Sequence, residues 1–280
     1  MNTQEFIIAA LAEDIGSGDH STLASIDAKV VGTAKLIVKE AGIIAGIRIA
    51  KEVFLHLDKE AVFTAFHTDG EYLEVGTIAF TVKAKAQAIL QAERLVLNTM
   101  QRMSGIATLT HSYVEKIKNY TTTILDTRKT TPLFRAFEKE AVLLGGAKNH
   151  RMGLYDMIML KDNHIDYCGG IEKAIAAANN YLKAQQLQLP IEVETRSLDD
   201  VKRVVKVGGV QRIMLDNFTP QEIEAALVII NKQFETEASG GINFDTIEAY
   251  AATGVDFISV GAVIHHATSL DLSLKAVLHE

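Results

Sequence analysis

A repeated unit in the second half of the chain limits the fold more than any other feature of the sequence. From about residue 121 onward, a short apolar strand is followed by a few polar residues, here called the strand tip, and then by an amphipathic helix. Six tips are readable, and successive marker residues lie 35, 33, 22, 21 and 22 residues apart, in the order Asp126, Lys161, Glu194, Asp216, Glu237 and Ser259. The strand cores are almost entirely apolar, as is typical of strands buried on both faces of a parallel sheet. We therefore predict an α/β barrel for this half.

The first hundred residues mix helices and strands in a different pattern. Helical spacing of apolar residues covers 3–13, whereas short β-branched or alternating segments near 33–38, 61–66 and 77–83 predict strands. A long helical pattern from about Lys85 to Met103 ends this part. We expect a separate α+β domain here.

Composition and charge narrow the classes of function. With 48% hydrophobic residues among 280, the chain can bury a large core, which argues against disorder. The 28 basic and 35 acidic residues give a net charge of −7, which argues against nucleic acid or an anionic membrane surface as partner. No apolar run reaches the roughly 18 residues that a membrane span requires. Cys168 is the only cysteine, so we expect no internal disulfide and a cytoplasmic location.

Basic residues gather around the first two strand tips of this acidic protein. The set comprises Arg128, Lys129, His150, Arg151, Lys161 and His164. Because the loops that follow parallel strands converge over one end of a barrel, we expect these side chains to meet there. Arginine presents a planar fork to carboxylates and phosphates, and lysine presents a compact charge. The set predicts a substrate with several negative charges, although any one member could be an ordinary exposed cation or an ion-pair partner.

Acidic residues occupy two later tips. Glu192 and Glu194 alternate with Val193 and so share one face of a strand, and Asp216 ends the next strand. Carboxylates from neighbouring parallel strands can hold a Mg²⁺ ion that bridges phosphate oxygens, or they can bind ribose hydroxyls. We predict one of these roles for Glu194 and Asp216, and a structural ion pair for Glu192.

Glycines follow the last two tips. Ser239-Gly240-Gly241 is expected to open a helix near Asn243, and Gly261 follows the sixth strand. Such glycines allow backbone amides to approach a phosphate, although glycine pairs mark plain turns more often. The adjacent His265 and His266 are expected to diverge, so that at most one faces the site.

Two other classes of function are compatible with these residues. A barrel aldolase could use Lys161 as a Schiff-base lysine, but this requires an apolar setting and the neighbours Asp162 and His164 are polar. A nonenzymatic acidic scaffold would leave the alternation of basic and acidic strand tips unexplained. Borohydride, which traps a Schiff base, would distinguish the aldolase from a protein whose basic residues bind an anionic substrate.

Several longer motifs resemble one family. In order and nearly end to end, the chain contains EDIGSGDHST, ERLVLNTMQRMSGIAT, LDTRKTTPLFRAFEKEAVLLGG, NHRMGLYDMIMLKDNH, IEVET, MLDNF, SGGIN and FISVGA. These strings closely resemble the quinolinate phosphoribosyltransferases, also called decarboxylating nicotinate-nucleotide pyrophosphorylases. The run from DTRKT through NHR to KDNH is highly specific, whereas SGG and VGA alone are not.

The resemblance implies a fold and an assembly. It implies an N-terminal open α/β sandwich domain at 1–106 and an incomplete α/β barrel of TIM-barrel type, with about seven strands, at 107–267. A C-terminal helix at 268–280 is expected to pack with the first domain. The resemblance also implies a homodimer in which each active site borrows Arg94 from the partner.

The resemblance further implies an activity and a set of site residues. The activity is phosphoribosyl transfer from phosphoribosyl pyrophosphate to quinolinate with loss of CO₂, in NAD biosynthesis. Lys161, Glu194 and Asp216 would be catalytic, and Glu194 and Asp216 would hold Mg²⁺. The implied substrate-binding residues are Arg94, Thr127, Arg128, Lys129, His150, Arg151, Lys161, His164, Glu194, Asp216, Ser239, Gly240 and Gly261. The alternative within this architecture is a pyrophosphorylase-like protein of the group associated with molybdenum transport.

Overall fold

The computed structural model describes residues 2–277. The helices are α1 (Thr3–Ile15), α2 (His20–Ser25), α3 (Ile47–Leu57), α4 (Ala86–Lys116), α5 (Arg135–Leu144), α6 (Asp162–Cys168), α7 (Ile171–Gln185), α8 (Leu198–Val207), α9 (Pro220–Ile230), α10 (Ile247–Ala251) and α11 (Ala262–His265). The strands are β1 (Val31–Val38), β2 (Gly42–Ile43), β3 (Val62–Ala65), β4 (Tyr72–Leu73), β5 (Ile78–Lys85), β6 (Thr123–Leu125), β7 (Ile158–Leu160), β8 (Ile191–Thr195), β9 (Arg212–Asp216), β10 (Glu235–Ser239), β11 (Phe257–Ser259) and β12 (Leu272–Ala276).

The chain divides into two compact units. The first contains the described residues of Met1–His111, Thr131–Gly146 and Ala267–Glu280, and the second contains Ser112–Thr130 and Ala147–His266. The boundary expected between residues 106 and 107 falls inside α4, which continues to Lys116.

The first unit is built on a four-stranded antiparallel sheet in the order β12-β1-β5-β3. The strands β1, β3 and β5 lie where the apolar patterns predicted them. The amphipathic helix α3 buries Val53 and Phe54, and Phe54 packs edge-on against Phe80 of β5, with 6.2 Å between ring centroids. Phe63 of β3 completes this aromatic cluster, 4.5 Å from Phe80.

The end of the first unit corrects one expectation. A helix over 268–280 was expected, but Leu272–Ala276 forms strand β12, which pairs antiparallel with β1. Leu272 and Leu274 alternate with Ser273 and are buried, as one face of a strand requires. The helix expectation is therefore wrong for 268–277, and 278–280 lie outside the described residues.

The second unit contains a six-stranded parallel sheet in the order β6-β11-β10-β9-β8-β7. All six predicted strand tips are confirmed. The first barrel strand along the chain, β6, pairs with the last, β11, so β6 and β7 are the two edges of the sheet. The sheet is curled, because His150, close to the β6 edge, contacts Glu192 of β8. Lys148 adds one parallel bridge to Leu125, on the free side of β6. An incomplete barrel of about seven strands fits this topology when that bridge counts as a seventh segment.

Alternation along the barrel strands sorts the side chains into two faces. Val193, Ile213 and Leu215 are fully buried on the side that the helices cover. By the period of two and the strand register, the polar residues on the other face point into the barrel. These residues are Glu192, Glu194, Arg212, Asp216, Glu235, Glu237 and Ser239.

Helix caps place the loops that follow the strands. Ser197 accepts a hydrogen bond from the backbone N–H of Asp200 at the start of α8. Thr219 and Glu222 form a capping box at α9, with Pro220 as the first helical residue. Serine and threonine followed three residues later by an acidic residue are the residue types that such helix starts favour. Among the described residues, no helix has the length and apolar character needed to cross a lipid bilayer.

Candidate active site

A cavity of about 840 Å³ opens at the carboxyl ends of the barrel strands. Most of the residues predicted for the site line it, namely Thr127, Arg128, Lys129, His150, Arg151, Lys161, Glu194, Asp216, Ser239, Gly240 and Gly261. In a barrel this is the end where the loops converge, so the strand topology explains why residues from distant parts of the chain meet.

Two arginines lie together in the cavity wall. Burial, followed by the positive charge of Arg128, lowers the pKa of Arg151, so the two guanidinium groups are close enough to repel each other. Arg151 is oriented by a hydrogen bond from Nη1 to the carbonyl of Met157, at 3.2 Å. The Nε atom of Arg128 is buried and donates to no acceptor among residues 2–277. A buried, unsatisfied donor is costly, so a ligand that accepts this hydrogen bond is favoured.

His150 is held from three directions. Its backbone N–H donates to Oδ1 of the buried Asp126 at 2.8 Å, and the N–H of Arg151 lies 2.6 Å from its Nδ1. On the other edge of the ring, Nε2 lies 3.0 Å from Glu192 and 3.3 Å from Glu237. Glu192 therefore forms the ion pair that the sequence predicted.

The carboxylates beside His150 are deeply buried. The ligand atoms of His150, Glu192 and Glu237 lie within 4.8 Å of one another, a spacing that could also suit a metal ion. However, Arg212 already pairs with Glu237 at 2.8 Å, and its positive charge opposes a bound cation. We therefore interpret the group as an ion-pair cluster.

The predicted metal ligands end two neighbouring strands. Glu194 lies on β8 and Asp216 is the last residue of β9, and both line the cavity. Glu194 pairs with Nζ of Lys161 at 3.2 Å, and Asp216 accepts a hydrogen bond from the side chain of Asn217. Two carboxylates without further protein ligands suit Mg²⁺, which binds one or two carboxylates together with substrate phosphates and water.

Lys161 does not lie in an apolar setting. Its side chain is 48% exposed and is paired with Glu194. A Schiff-base lysine needs burial that disfavours its charged form, so the aldolase alternative is not supported.

The glycine loops line the cavity without the expected helix. Residues 240–246 are irregular, and α10 begins only at Ile247, so the predicted helix start near Asn243 is wrong. Gly240 has φ +95°, and a Cβ there would lie 2.8 Å from the backbone nitrogen of Asn217. A Cβ at Gly261 would lie 3.0 Å from Nε2 of His265 and 3.2 Å from Cδ of Lys129, which are side-chain atoms. Close approach to the backbone of Asn217 therefore explains Gly240.

The histidine pair corrects another expectation. Both His265 and His266 line the cavity, with ring centroids 4.3 Å apart. Because α11 ends at His265, the two residues do not share the regular geometry that would make them diverge.

Two predicted residues lie outside the cavity lining. Arg94 is exposed on α4. His164 is also exposed, and its Nδ1 accepts a hydrogen bond from the backbone N–H of Lys161, so it stabilises the start of α6. The roles predicted for both in substrate binding stay predictions.

Three residues around the site were missed by sequence reasoning as contributors to it. Asp126 and Glu237 served only as strand markers, and Arg212 was not singled out. One signal was available, because Glu235, Glu237 and Ser239 alternate along a single strand and therefore share its inner face.

Comparison with known proteins identifies the family of this chain. Residues 19–104 match the family model for the N-terminal domain of quinolinate phosphoribosyl transferase, and 106–275 match the model for its C-terminal domain. Chloroplastic nicotinate-nucleotide pyrophosphorylase [carboxylating] of Oryza sativa subsp. japonica is 43% identical over 95% of this chain and 75% of its own length. A probable nicotinate-nucleotide pyrophosphorylase [carboxylating] of Synechocystis is 41% identical, over 95% and 90%.

A solved structure shares the whole fold. The crystal structure of NadC from Streptococcus pyogenes superposes with a TM-score of 0.92 at 39% identity, covering 97% of this chain and 95% of that one. Together with the two family models, which span nearly the full length, this shows that the chain belongs to the quinolinate phosphoribosyltransferase family.

Proposed function

We propose that this protein transfers the phosphoribosyl group of phosphoribosyl pyrophosphate to quinolinate and releases CO₂, forming nicotinate mononucleotide and pyrophosphate. Family membership makes the chain a phosphoribosyltransferase, and its relatives are named for this reaction. The alternative of a protein associated with molybdenum transport gains no support from these relatives.

One observation carries the proposal for the quinolinate pocket. Arg128 and Arg151 are brought together despite their mutual repulsion, and the buried Nε of Arg128 has no acceptor in the described part of the chain. Two adjacent carboxylates, as in quinolinate, would offset the repulsion and accept these hydrogen bonds. His150 and Lys161 line the same cavity and would complete the basic surroundings.

The reaction needs no protein nucleophile. The pyridine nitrogen of quinolinate attacks C1 of the ribose, the bond from C1 to the pyrophosphate oxygen breaks, and pyrophosphate leaves. Lys129 and Lys161 would stabilise the charge that develops on the leaving group. The ring nitrogen is then cationic and accepts the electron pair released when the adjacent carboxylate leaves as CO₂, and a proton takes its place on the ring carbon.

Glu194 and Asp216 would hold Mg²⁺. Their carboxylates are the ligand type that Mg²⁺ prefers, and they lie at the mouth where the pyrophosphate would bind. The bound ion would neutralise part of the pyrophosphate charge. Ser239, Gly240 and Gly261 would bind the 5-phosphate through a close backbone approach.

We further propose a homodimer with shared active sites, in which Arg94 acts in the site of the other subunit. Arg94 is exposed and does not line the cavity of its own barrel. A cation that serves quinolinate from across an interface would explain this position. The free, exposed Cys168 is consistent with a reducing cytoplasmic location.

The decisive experiment incubates the purified protein with phosphoribosyl pyrophosphate, Mg²⁺ and either quinolinate or nicotinate. We expect CO₂ and nicotinate mononucleotide from quinolinate, and no product from nicotinate. The variant Arg203→Ala should keep this activity, because the arginine that it removes pairs with Glu172 on the exposed side of the barrel. Absence of CO₂ release, or use of nicotinate instead, would overturn the proposal.

A further inference from the structure

The interior of the barrel contains a group of charged residues, of which only His150 has a place in the proposed quinolinate pocket. We define the buried charge cluster as His150, Glu192, Arg212 and Glu237. The interior of such a barrel is normally filled by branched apolar side chains. Here Glu192 and Glu237 are fully buried, and Arg212 is largely buried.

The two carboxylates of this cluster meet one nitrogen. Nε2 of His150 lies 3.0 Å from Oε2 of Glu192 and 3.3 Å from Oε2 of Glu237. The oxygens of Glu192 accept no hydrogen bond of good geometry within residues 2–277. Its charge is therefore compensated mainly by the imidazole, which makes the pair sensitive to the position of the ring.

Glu237 is itself fixed by two neighbours. Nη1 of Arg212 lies 2.8 Å from its Oε2, and the hydroxyl of Ser259 donates to its Oε1. The guanidinium of Arg212 stacks on the ring of Phe257, with 4.1 Å to the ring centroid, and also pairs with Glu235 at 3.0 Å. The carboxylate of Glu237 thus has one orientation, facing His150.

The opposite edge of the His150 ring is set by the backbone. The N–H of Arg151 lies 2.6 Å from Nδ1 and favours a lone pair on that atom. Burial alone would lower the pKa of His150, but Glu192 and Glu237 outweigh it and raise that pKa to about 9. In the neutral tautomer with a lone pair on Nδ1, as in the protonated ring, Nε2 carries a proton that lies between the two carboxylates.

Stability does not explain such a cluster. Taking ions out of water costs several kcal/mol each, and apolar side chains of equal volume usually give an equally stable core. The cluster lies directly beneath the cavity, and one of its members, His150, also lines that cavity. The charges of the cluster are therefore best explained by their effect on the position of His150.

We propose that Glu237 is a positioning residue: with Glu192 it holds the Nε2 edge of His150, and Arg212 in turn orients Glu237, so that the imidazole presents a fixed face to the quinolinate pocket. The kinetic part of this inference rests on the proposed function. Glu237 itself touches neither substrate nor the reacting atoms.

The first test is the kinetics of Glu237→Gln, which keeps the shape and removes the charge. We expect KM for quinolinate to rise about tenfold or more, since one of the two carboxylates that face Nε2 of His150 loses its charge. KM for phosphoribosyl pyrophosphate should change less than about twofold. Glu237→Asp keeps the charge and should recover part of the quinolinate affinity. Unchanged kinetics, or an equal rise of both KM values, would overturn the proposal.

Glu235→Gln is the matched control. Glu235 lies on the same face of the same strand and pairs with the same arginine, but it has no contact with His150 and its side chain is 53% exposed. We expect a change of less than about twofold in either KM. An effect as large as that of Glu237→Gln would show that Arg212, and not His150, transmits the change.

The second test does not depend on activity. Nitrogen-15 NMR of the imidazoles reports the protonation and hydrogen bonding of His150 in wild type and in Glu237→Gln. We expect the Nε2–H signal of His150 to shift in the variant while the other histidines keep theirs. An unchanged His150 signal overturns the positioning role even if the enzyme proves to use another substrate. Should Glu237→Gln fail to fold, Glu237→Asp decides both tests, because unchanged quinolinate KM and an unchanged His150 signal would also overturn it.

Discussion

Nε2 of His150 lies 3.0 Å from Oε2 of Glu192, and both side chains are buried beneath the cavity at the mouth of the barrel. A titratable group that lines this cavity is thus paired with a carboxylate that has no exposure to solvent. The charge state of this pair contributes both to the stability of the barrel and to the electrostatics of the site.

Stability is expected to fall as pH rises through 9. The pKa of His150 is raised from 6.5 to about 9, so the folded state binds the proton more tightly than the unfolded chain does. This contribution is complete below about pH 6.5 and is lost as pH rises through about 9; it amounts to about 3 kcal/mol at most. Burial, followed by the charge of Glu237, raises the pKa of Glu192 to about 7. The titration of Glu192 therefore affects stability at a lower pH than the titration of His150 does.

Denaturant unfolding at pH 7 and pH 9.5 checks this expectation. The free energy of unfolding of the wild type should decrease between these values. His150→Gln lacks the titrating ring and should lose this part of the decrease. An equal decrease of the unfolding free energy in the two proteins would contradict the predicted pKa shift.

Removal of Arg128 should weaken quinolinate binding while leaving the fold intact. Arg128→Ala removes a half-buried donor whose Nε is available to a substrate carboxylate. We expect kcat/KM for quinolinate to fall about fiftyfold, the value of one charge-assisted hydrogen-bond pair. The midpoint of thermal unfolding should stay close to that of the wild type. The same measurements on Arg151→Ala should agree, and normal kinetics in either variant would show that the pocket is assigned wrongly.

Mixing two inactive variants tests the shared site. Subunits with Arg94→Ala and subunits with Lys161→Ala should recover activity after exchange, because a hybrid dimer contains one intact site. Each variant alone serves as control, and exchange is verified by native mass spectrometry. No recovery in verified hybrids would argue against action of Arg94 across an interface.

Substitution of Gly240 should damage the loop that follows β10. Gly240→Ala places a Cβ 2.8 Å from the backbone nitrogen of Asn217, at a φ of +95°. We expect a loss of about 1–3 kcal/mol in unfolding free energy and weaker binding of phosphoribosyl pyrophosphate. Gly254→Ala is the control, because its φ is also positive but no atom lies within 4 Å of the added Cβ. The Gly254→Ala variant should lose about 1 kcal/mol in unfolding free energy, with no change in KM for phosphoribosyl pyrophosphate. Equal effects would mean that backbone strain alone, and no close approach, explains Gly240.

Chelation should abolish activity, and added Mg²⁺ should restore it. Asp216→Asn removes one of the two predicted carboxylate ligands, so the Mg²⁺ concentration for half-maximal rate should rise about tenfold. Asp199→Asn removes an exposed carboxylate on α8 and should not change it. Full activity of the wild type in excess chelator would contradict the metal assignment.

Local sequence patterns anticipated most of the barrel and of its mouth. Periodicity predicts the strand tips, and local residue types favour the caps at Ser197 and Thr219. The rule that loops after parallel strands converge predicts that Arg128, Arg151 and Lys161 lie together. The C-terminal strand escaped this reasoning, because Leu272–Ala276 is ordered by pairing with β1, more than two hundred residues earlier in the sequence. The irregular loop after Gly240 escaped it because the pattern did not reveal the nearby backbone of Asn217.

The sequence by itself determined the six barrel strands, the acidic balance of the whole chain and the basic residues that end the first barrel strands. Hydrophobic spacing and capping are local properties that short segments carry with them. Only the tertiary structure decided that Glu192, Glu237 and Arg212 converge on His150, because these residues come from three strands and a loop. The curl of the sheet brings their inward faces together, and in its interior, away from water, their charges act strongly on one another.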